Sequence, residues 1–272
     1  MVTREQIRMA GIAAGTDKVS HHAYERFYAD FLCDFDGSGS IVEVGYGNGE
    51  SIAFWKALYP SAFLYVIDRD IELEGDGFSV LKCDQSSARQ LAQLRNFLAD
   101  KDIAVILDDG SHIPEHQLMT FNSLFEILRQ GGVYIIEDIE CSYWRYGDCY
   151  SYATRYGLSS RRSLMNKLAL LSHWVNREFL AGQERRLLGD LIQRRGFSLV
   201  AVESVSSITF AHNCVAILKS LDKDRQYAAR HYRFAGNVQP SARVILKSFI
   251  PRFLFSLLNK AYKSVRIQFA RN

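Results

Sequence analysis

The sequence predicts an α/β fold, with a mostly parallel sheet that carries helices on both of its faces. Along the middle of the chain, short runs rich in valine and isoleucine alternate with longer segments of helical periodicity. This alternation is typical of βαβ units, which build parallel sheets. The 272 residues, 48% of them hydrophobic, suffice for one sizeable core with appendages.

Seven strands are predicted. Segment 197–219 is interpreted as the last two of them, joined by a short turn into an antiparallel hairpin. A seven-stranded, mostly parallel sheet that ends in such a hairpin matches Rossmann-like class I methyltransferases better than dinucleotide dehydrogenases. The other five strands are the apolar runs 40–47, 62–68, 78–83, 103–109 and 132–138.

Helices are predicted between and after these strands. Segment 114–130 places its apolar side chains on one helical face, Pro114 suits the first turn, and the glycines that follow residue 130 suit the end. The other predicted helices cover residues 50–58, 88–99, 159–175 and 177–195.

The chain is predicted to have three parts: a helical cap at 1–37, an α/β domain at 38–220, and a basic amphipathic tail at 221–272. From residue 241 onward the tail has seven basic residues and no acid. Two interpretations of it stay open. The tail forms a helix on an anionic membrane surface, or it packs on the core or on a second subunit of a homo-oligomer.

The composition excludes several classes of protein. A net charge of only +3 gives no global signature of nucleic-acid binding. The five cysteines show no CxxC spacing, which argues against a disulfide framework or a zinc site and favours a reducing compartment. The first residues make a poor signal peptide. We therefore expect a cytoplasmic protein, at the inner membrane face if the tail binds lipid.

The stretch VEVGYGNGES, residues 42–51, predicts a ligand-binding turn between a strand and a helix. Gly45, Gly47 and Gly49 let the backbone turn tightly and approach a ligand closely. The spacing is GxGxG and lacks the GxGxxG of dinucleotide binders. The motif alone is weak, because ordinary loops also have this spacing.

Polar residues at the next strand ends indicate that the ligand is a nucleoside. Asp68 closes the second strand, where a carboxylate can accept hydrogen bonds from both ribose hydroxyls. Asp84 and Gln85 follow the third strand, where an adenine amine could be recognised; for both aspartates a capping role is the alternative. An adenosine site without a phosphate-binding pattern fits S-adenosylmethionine, and Glu43 suits its ammonium group. The 38–220 domain is therefore predicted to bind this methyl donor.

Carboxylates also end two strands that are neighbours in this topology. Asp108, Asp109 and Asp138 all fall at carboxyl ends, where open α/β sheets bind their ligands. Converging carboxylates repel one another unless a cation neutralises them, and oxygen ligands favour Mg²⁺. Such a cation would also lower the pKa of a substrate hydroxyl. Asp108 is assigned to the cofactor pocket. The alternative roles are a helix cap for Asp108 or Asp109 and a turn residue for Asp138.

A histidine lies on the loop beside these acids. His112 stands three residues after Asp109 and is placed to take the proton of a hydroxyl, as a general base. His116, one turn into the following helix, is the second candidate base. A structural role for a loop histidine stays open.

Three motifs in order resemble a known family. They are GTDKVSHHAYERFY (15–28), DDGSH (108–112) and EDIECSYW (137–144), and together they resemble the metal-dependent sugar O-methyltransferases of macrolide biosynthesis over residues 12–219. The resemblance implies that Asp109 and Asp138 bind Mg²⁺ and that His112 is the general base. It also implies that two segments help to close the cofactor and sugar pockets. These are residues 15–18, with Lys18 at the end, and residues 142–144.

The resemblance has limits. Glu140 stands where the family would have an uncharged residue, so a third metal ligand and a solvated acid are both open. The chain is shorter than the macrolide enzymes, so their oligomeric state and substrate are not carried over.

The predicted activity is O-methylation of a sugar hydroxyl on a small-molecule or lipid-linked glycan. Tyr24, Tyr143 and Trp144 are candidates to stack on the sugar face, with core or loop packing as the alternative. Two rival functions stay open: a catechol-type metal-dependent O-methyltransferase, and a protein that binds S-adenosylmethionine without transferring the methyl group.

Overall fold

The computed structural model describes residues 2–149 and 152–221. Residues 222–272 of the predicted basic tail lie outside the described residues, so both interpretations of the tail remain predictions. None of the helices in the described ranges combines the length and the apolar character needed to span a bilayer.

In these ranges the chain forms ten α-helices, ten strands and three short 3₁₀ segments. The helices are α1 (Arg4–Ala14), α2 (Asp17–Ser20), α3 (Glu25–Phe31), α4 (Glu50–Leu58), α5 (Ala88–Leu98), α6 (Pro114–Leu124), α7 (Leu164–Leu168), α8 (Leu171–Val175), α9 (Gly182–Arg194) and α10 (Leu199–Glu203). The strands are β1 (Ser40–Val44), β2 (Phe63–Asp68), β3 (Leu73–Gly75), β4 (Phe78–Lys82), β5 (Ile103–Asp108), β6 (Leu128–Glu137), β7 (Asp148–Cys149), β8 (Tyr152–Ala153), β9 (Val205–Ala211) and β10 (Cys214–Lys219).

The main sheet has eight strands in the order β3-β4-β2-β1-β5-β6-β10-β9. The pairs from β4 to β6 are parallel, whereas β3 and the β9–β10 hairpin are antiparallel. The mostly parallel sheet with a final hairpin is thus confirmed, with the short edge strand β3 added to the seven that were predicted. Because β1, β5 and β6 are parallel neighbours, their carboxyl ends open onto one edge.

Side-chain alternation along β1 divides the core into two layers. Val42 and Val44 pack on one face of the sheet with the buried side chains of α5 and α6. Ile41 packs on the other face, with the side chains of α1, α3 and α4. Helices therefore cover both faces, as predicted, and Glu43 lies on the same face as Ile41, because side chains two apart in a strand share a face.

Four predicted elements differ from the structure. Residues 199–203, predicted to begin a strand, form α10, whose first turn is capped by the Ser198 hydroxyl that accepts the Ala201 amide. The helix predicted at 114–130 ends at Leu124, and β6 already begins at Leu128. The two helices predicted over 159–195 are broken into shorter ones, namely α7, α8 and α9. Short apolar runs do not distinguish a strand from a buried helix by periodicity alone.

Candidate active site

A cavity of about 1070 Å³ opens at the carboxyl ends of the parallel strands. It lies between the segment Gly15–His22 and the loops that follow β1, β2, β4, β5 and β6. The predicted site residues that line it are Lys18, Gly45, Gly47, Asp68, Asp84, Gln85, Asp109, His112 and Asp138. Six other predicted site residues are not among the described residues that line it: Glu43, Gly49, Asp108, Tyr24, Tyr143 and Trp144.

The glycine turn after β1 has the conformation that its sequence predicts. Gly45, Gly47 and Gly49 have φ angles of 109°, 55° and 89°. Gly49 is the N-cap of α4 and acts at the helix start, whereas the other two glycines line the cavity. A Cβ on Gly45 would lie 2.2 Å from the carbonyl oxygen of Asp109. The turn therefore allows the ends of β1 and β5 to meet.

Two alanine substitutions separate this close approach from the φ requirement. Gly47→Ala meets nothing within 4 Å, so we expect only the cost of a left-handed residue, about 1–2 kcal/mol. Gly45→Ala adds a clash with a backbone atom, and we expect a loss of about 2–5 kcal/mol. Urea unfolding of the two variants measures the difference. Equal losses would mean that the β1–β5 approach does not constrain residue 45.

Asp68 and Asp84 line the cavity and also stabilise their own loops. The Oδ1 atom of Asp68 accepts the amides of Asp70 and Ile71, at 2.8 and 3.0 Å. The Oδ1 atom of Asp84 accepts both the amide and the hydroxyl of Ser86, and these bonds lower the pKa of Asp84. Each aspartate uses only its Oδ1 atom for these hydrogen bonds within its loop. The loop contacts are therefore compatible with ligand binding by the other carboxylate oxygen.

Asp108 does not line the cavity, contrary to its assignment to the cofactor pocket. It is fully buried, and burial raises its pKa to about 7. Its two oxygens accept hydrogen bonds from Gln85 Nε2 at 2.6 Å and from the Tyr134 hydroxyl at 3.1 Å. Gln85 Oε1 in turn accepts the Ser111 amide at 2.9 Å. Asp108 therefore positions Gln85 and the loop after β5.

Glu43 is also placed differently from the prediction. It lies inside β1, on the face toward α4, and it has no exposed surface. Its Oε2 atom accepts the Trp55 indole N–H at 3.0 Å, and its Oε1 atom lies 3.1 Å from Lys18 Nζ. The carboxylate is thus buried beside these two groups and does not line the cavity.

Lys18 lines the cavity, and its ammonium group is buried among carboxylates. Its Nζ lies 2.5 Å from Asp109 Oδ2 and 2.9 Å from Glu137 Oε2, in addition to Glu43. Burial acts to lower the pKa of Lys18, but the fields of Asp109, Glu137 and Glu43 outweigh it and hold this pKa well above its ordinary value. Glu137 also accepts the Tyr28 hydroxyl, and burial raises its pKa although the positive charge of Lys18 opposes this.

Asp109, His112 and Asp138 come together as the sequence predicts. One possible ligand atom from each residue lies within 4.8 Å of the other two. His112 Nδ1 is 3.9 Å from Asp138 Oδ2. Burial, and next the negative charge of Asp109, raise the pKa of Asp138. A concentration of carboxylates beside one buried lysine leaves excess negative charge, which is the environment that fits a divalent cation.

Asp138 is held in place by groups from distant parts of the chain. Its Oδ1 atom accepts the Tyr24 hydroxyl at 2.6 Å and Asn213 Nδ2 at 2.9 Å, and it lies 3.3 Å from His22 Nδ1. Tyr24 has no exposed surface, so its ring cannot stack on a sugar, contrary to the prediction. Its function in this structure is to orient a carboxylate.

The Tyr24 hydroxyl gives a direct test of this contact. Tyr24→Phe leaves a buried carboxylate oxygen with one donor fewer, so we expect a loss of about 1.5–3 kcal/mol in the free energy of unfolding. Tyr65→Phe is the control, because the Tyr65 ring is buried and its hydroxyl has no hydrogen bond to a described residue. Urea denaturation should give a change within about 0.5 kcal/mol for that control. Equal effects of the two substitutions would contradict the proposed contact.

The backbone is strained at the same place. Among the described residues, five that are not glycine have positive φ, and three of these are His112, Asp138 and Asn213, with φ of 57°, 50° and 58°. Such conformations cost free energy and cluster at functional sites. A left-handed residue is not visible in the sequence, so this feature was not predicted.

The remaining predicted residues surround the site. His116 lines the cavity, its Nδ1 is 2.9 Å from the Ser111 hydroxyl, and burial lowers its pKa. Glu140 lines the cavity but is not part of the three-residue group. Tyr143 and Trp144 follow Asp138 along the chain; the Tyr143 side chain is exposed and that of Trp144 is partly buried. Stacking of these two aromatics on a sugar stays a prediction.

Part of the chain is similar in sequence to known O-methyltransferases. No protein-family profile matches the sequence. The chain is 33% identical over 149 residues to 8-demethyl-8-alpha-L-rhamnosyl tetracenomycin-C 2′-O-methyltransferase of Streptomyces olivaceus, which is 50% of this chain and 39% of the relative. It is 30% identical over 130 residues to mycinamicin VI 2″-O-methyltransferase of Micromonospora griseorubida, which is 44% of this chain and 31% of the relative. The matches thus span less than two fifths of these relatives.

A similar structure is a methyltransferase from the mycinamycin biosynthetic pathway, solved in complex with Mg, SAH and mycinamycin VI. Its TM-score is 0.63 at 18% identity, over 87% of this chain and 57% of that chain. At this identity the likeness shows the fold, which is confirmed as a Rossmann-like class I methyltransferase fold. The resemblance to sugar O-methyltransferases, inferred from the three motifs, is confirmed by the curated relatives.

Proposed function

We propose that the protein is an S-adenosylmethionine-dependent O-methyltransferase that requires a divalent cation and methylates a sugar hydroxyl of a glycoside or glycolipid. One observation carries the proposal. A single cavity is lined both by the glycine turn after β1 and by the group Asp109, His112 and Asp138. A methyl donor and an activated hydroxyl must meet within one cavity for the transfer to occur.

The comparisons support the proposal at the level of chemistry. The relatives are named for methylation of sugar-bearing natural products, and the similar structure contains Mg and SAH. The matches span less than two fifths of these relatives. The acceptor named for each relative is therefore not assigned to this chain. For this chain, only the class of acceptor is proposed.

The donor side of the cavity would be formed by the glycine turn, Asp68, Asp84 and Gln85. Gly45 and Gly47 present backbone without side chains, so a ligand can approach closely there. The second oxygen of Asp68 is the proposed acceptor for the ribose hydroxyls. S-adenosylmethionine, when bound, supplies a methyl group already activated on a sulfonium. The main task of these residues is therefore to orient the donor.

The acceptor side would be formed around the three-residue group. Asp109 and Asp138 would hold the cation, and their carboxylate oxygens are ligands that Mg²⁺ prefers. The cation would supply positive charge that lowers the pKa of a sugar hydroxyl. Asp138 is pre-oriented for this by Tyr24 and Asn213, whose hydrogen bonds occupy its Oδ1 atom.

His112 is the proposed general base. Its ring lies in the cavity wall beside Asp138, where it can take the hydroxyl proton at an imidazole nitrogen. The neighbouring carboxylates would stabilise the imidazolium that results. We infer further that residues 1–37 act as a cap over the cavity, because Lys18, Tyr24 and Tyr28 bind carboxylates at or near the strand ends.

The test is transfer of a trideuteromethyl group from labelled S-adenosylmethionine. The purified protein is incubated with Mg²⁺ and a panel of neutral glycosides and catechols, and the products are identified by mass spectrometry. We expect labelled glycosides, and no label in the presence of excess EDTA. Labelled catechols without labelled glycosides would favour the rival phenol chemistry, and full activity in EDTA would exclude the role of the cation.

A further inference from the structure

Lys18 makes a three-way contact that the proposed reaction does not yet use. Its ammonium group has three N–H donors, and it lies within 3.1 Å of carboxylates on or just after three different strands. Glu43 belongs to β1, Asp109 follows β5 and Glu137 ends β6, which are neighbours in the order β1-β5-β6. The lysine side chain is 2% exposed, so water does not replace any of these contacts.

One of these three carboxylates also belongs to the proposed cation site. Asp109 Oδ2 lies 2.5 Å from Lys18 Nζ, and the same side chain supplies a ligand atom to the group with His112 and Asp138. The Asp109 side chain is 24% exposed, whereas those of Glu43 and Glu137 are 1% exposed. Lys18 is therefore bound on its buried side to two fixed acids and on its cavity side to the proposed metal ligand.

We propose that Lys18 is a positioning residue of the cation site: it ties Asp109 to Glu43 and Glu137 and so holds this carboxylate where a divalent cation can bind. The inference rests on the proposed function, since it requires a cation at Asp109 and Asp138. Lys18 belongs to α2, which lies in the cap. Under this proposal the fold of that short helix is part of the cation site.

The direction in which cation affinity changes without Lys18 distinguishes positioning of Asp109 from simple charge repulsion. If Lys18 acted only through its charge, its removal would strengthen cation binding, because a nearby positive charge would be lost. If it positions Asp109, its removal weakens cation binding. Loss of partners that orient metal ligands typically costs about 10–100-fold in metal affinity.

The experiment measures Mn²⁺ binding to the full chain by electron paramagnetic resonance, without donor or acceptor. Lys18→Met removes the ammonium group at similar side-chain volume. The double variant Lys18→Met with Glu137→Gln keeps the net charge of the cluster equal to that of the parent, and it serves if the single variant does not fold. Glu137→Gln alone controls for the second change. Lys56→Met is the matched lysine control, since Lys56 Nζ donates hydrogen bonds to the backbone carbonyls of Pro60 and Ala62.

We expect the parent and Lys56→Met to bind Mn²⁺ alike, and the double variant to bind about 10–100-fold more weakly than Glu137→Gln. Thermal unfolding by circular dichroism verifies that the compared variants are folded. A folded double variant with the affinity of Glu137→Gln, or with a higher one, would overturn the role of Lys18 and leave the proposed function standing. A parent that binds no Mn²⁺ would instead overturn the cation site, and this inference with it.

Discussion

Asp109→Asn and Asp138→Asn are each expected to abolish methyl transfer, because each removes a charged ligand from the proposed cation site. Partners that merely orient a ligand already change metal affinity by about 10–100-fold, so loss of a ligand should cost at least ~10²-fold. The measurements are the initial rate as a function of Mg²⁺ concentration and the affinity for Mn²⁺. Both quantities should fall together in both variants.

Asp70→Asn is the control for this pair. Asp70 also lines the cavity, but it is exposed and forms an ion pair with Arg69. Its neutralisation changes the charge of the cavity by the same amount without touching the three-residue group, so we expect a rate and a Mn²⁺ affinity close to those of the parent. Normal Mn²⁺ binding in both Asp109→Asn and Asp138→Asn would contradict the proposed ligands.

His112→Ala is expected to lower turnover by about 10²–10⁴-fold and to leave the affinity for S-adenosylmethionine unchanged. The reason is that His112 lies beside Asp138 and not in the glycine turn. Single-turnover rates and calorimetric titration of the donor measure the two quantities. Mn²⁺ affinity in the same variant distinguishes a base from a ligand, since a base can be removed without loss of the cation.

His116→Ala serves as the comparison, because His116 lines the same cavity and is the second candidate base. In the structure it contacts Ser111 instead of the three-residue group. We expect His116→Ala to affect donor affinity more than the chemical step. A loss of turnover in His116→Ala with normal turnover in His112→Ala would transfer the role of base to His116.

The local chemistry of the site could be predicted because it follows strand ends. Asp109 comes directly after β5 and Asp138 directly after β6, and parallel neighbours bring such positions together. The glycine turn was predictable for the same reason, since Gly45, Gly47 and Gly49 lie where β1 passes into α4. These inferences need only the order of strands and the periodicity of side chains.

The orientation of individual acids could not be read in the same way. Glu43 lies within β1 and not after it, and alternation turns it to the face opposite Val42 and Val44. Its position inside the strand was the available signal that it would not reach the cavity. Asp108 is the last residue of β5 and is buried, while its neighbour Asp109 lines the cavity. Two adjacent aspartates therefore have different environments.

Contacts between distant segments of the chain could not be predicted from the sequence pattern. Lys18 and Asp109 are 91 residues apart, and Tyr24 and Asp138 are 114 apart. Asn213 contacts Asp138 from the β9–β10 turn, and no local motif marks it as a site residue. The aromatic character of Tyr24 suggested a stacking surface, but its burial and its hydroxyl bond assign it to the support of Asp138.

The central claim is that one edge of the sheet holds a methyl donor and a divalent cation within the same cavity. The most direct measurement is nuclear magnetic resonance of S-adenosylmethionine with a ¹³C-labelled methyl group, bound to the protein and titrated with Mn²⁺. We predict strong paramagnetic broadening of the methyl signal, which disappears when Asp109→Asn and Asp138→Asn are combined. A donor that binds the parent protein in the presence of bound Mn²⁺ without broadening of its methyl signal would contradict the claim.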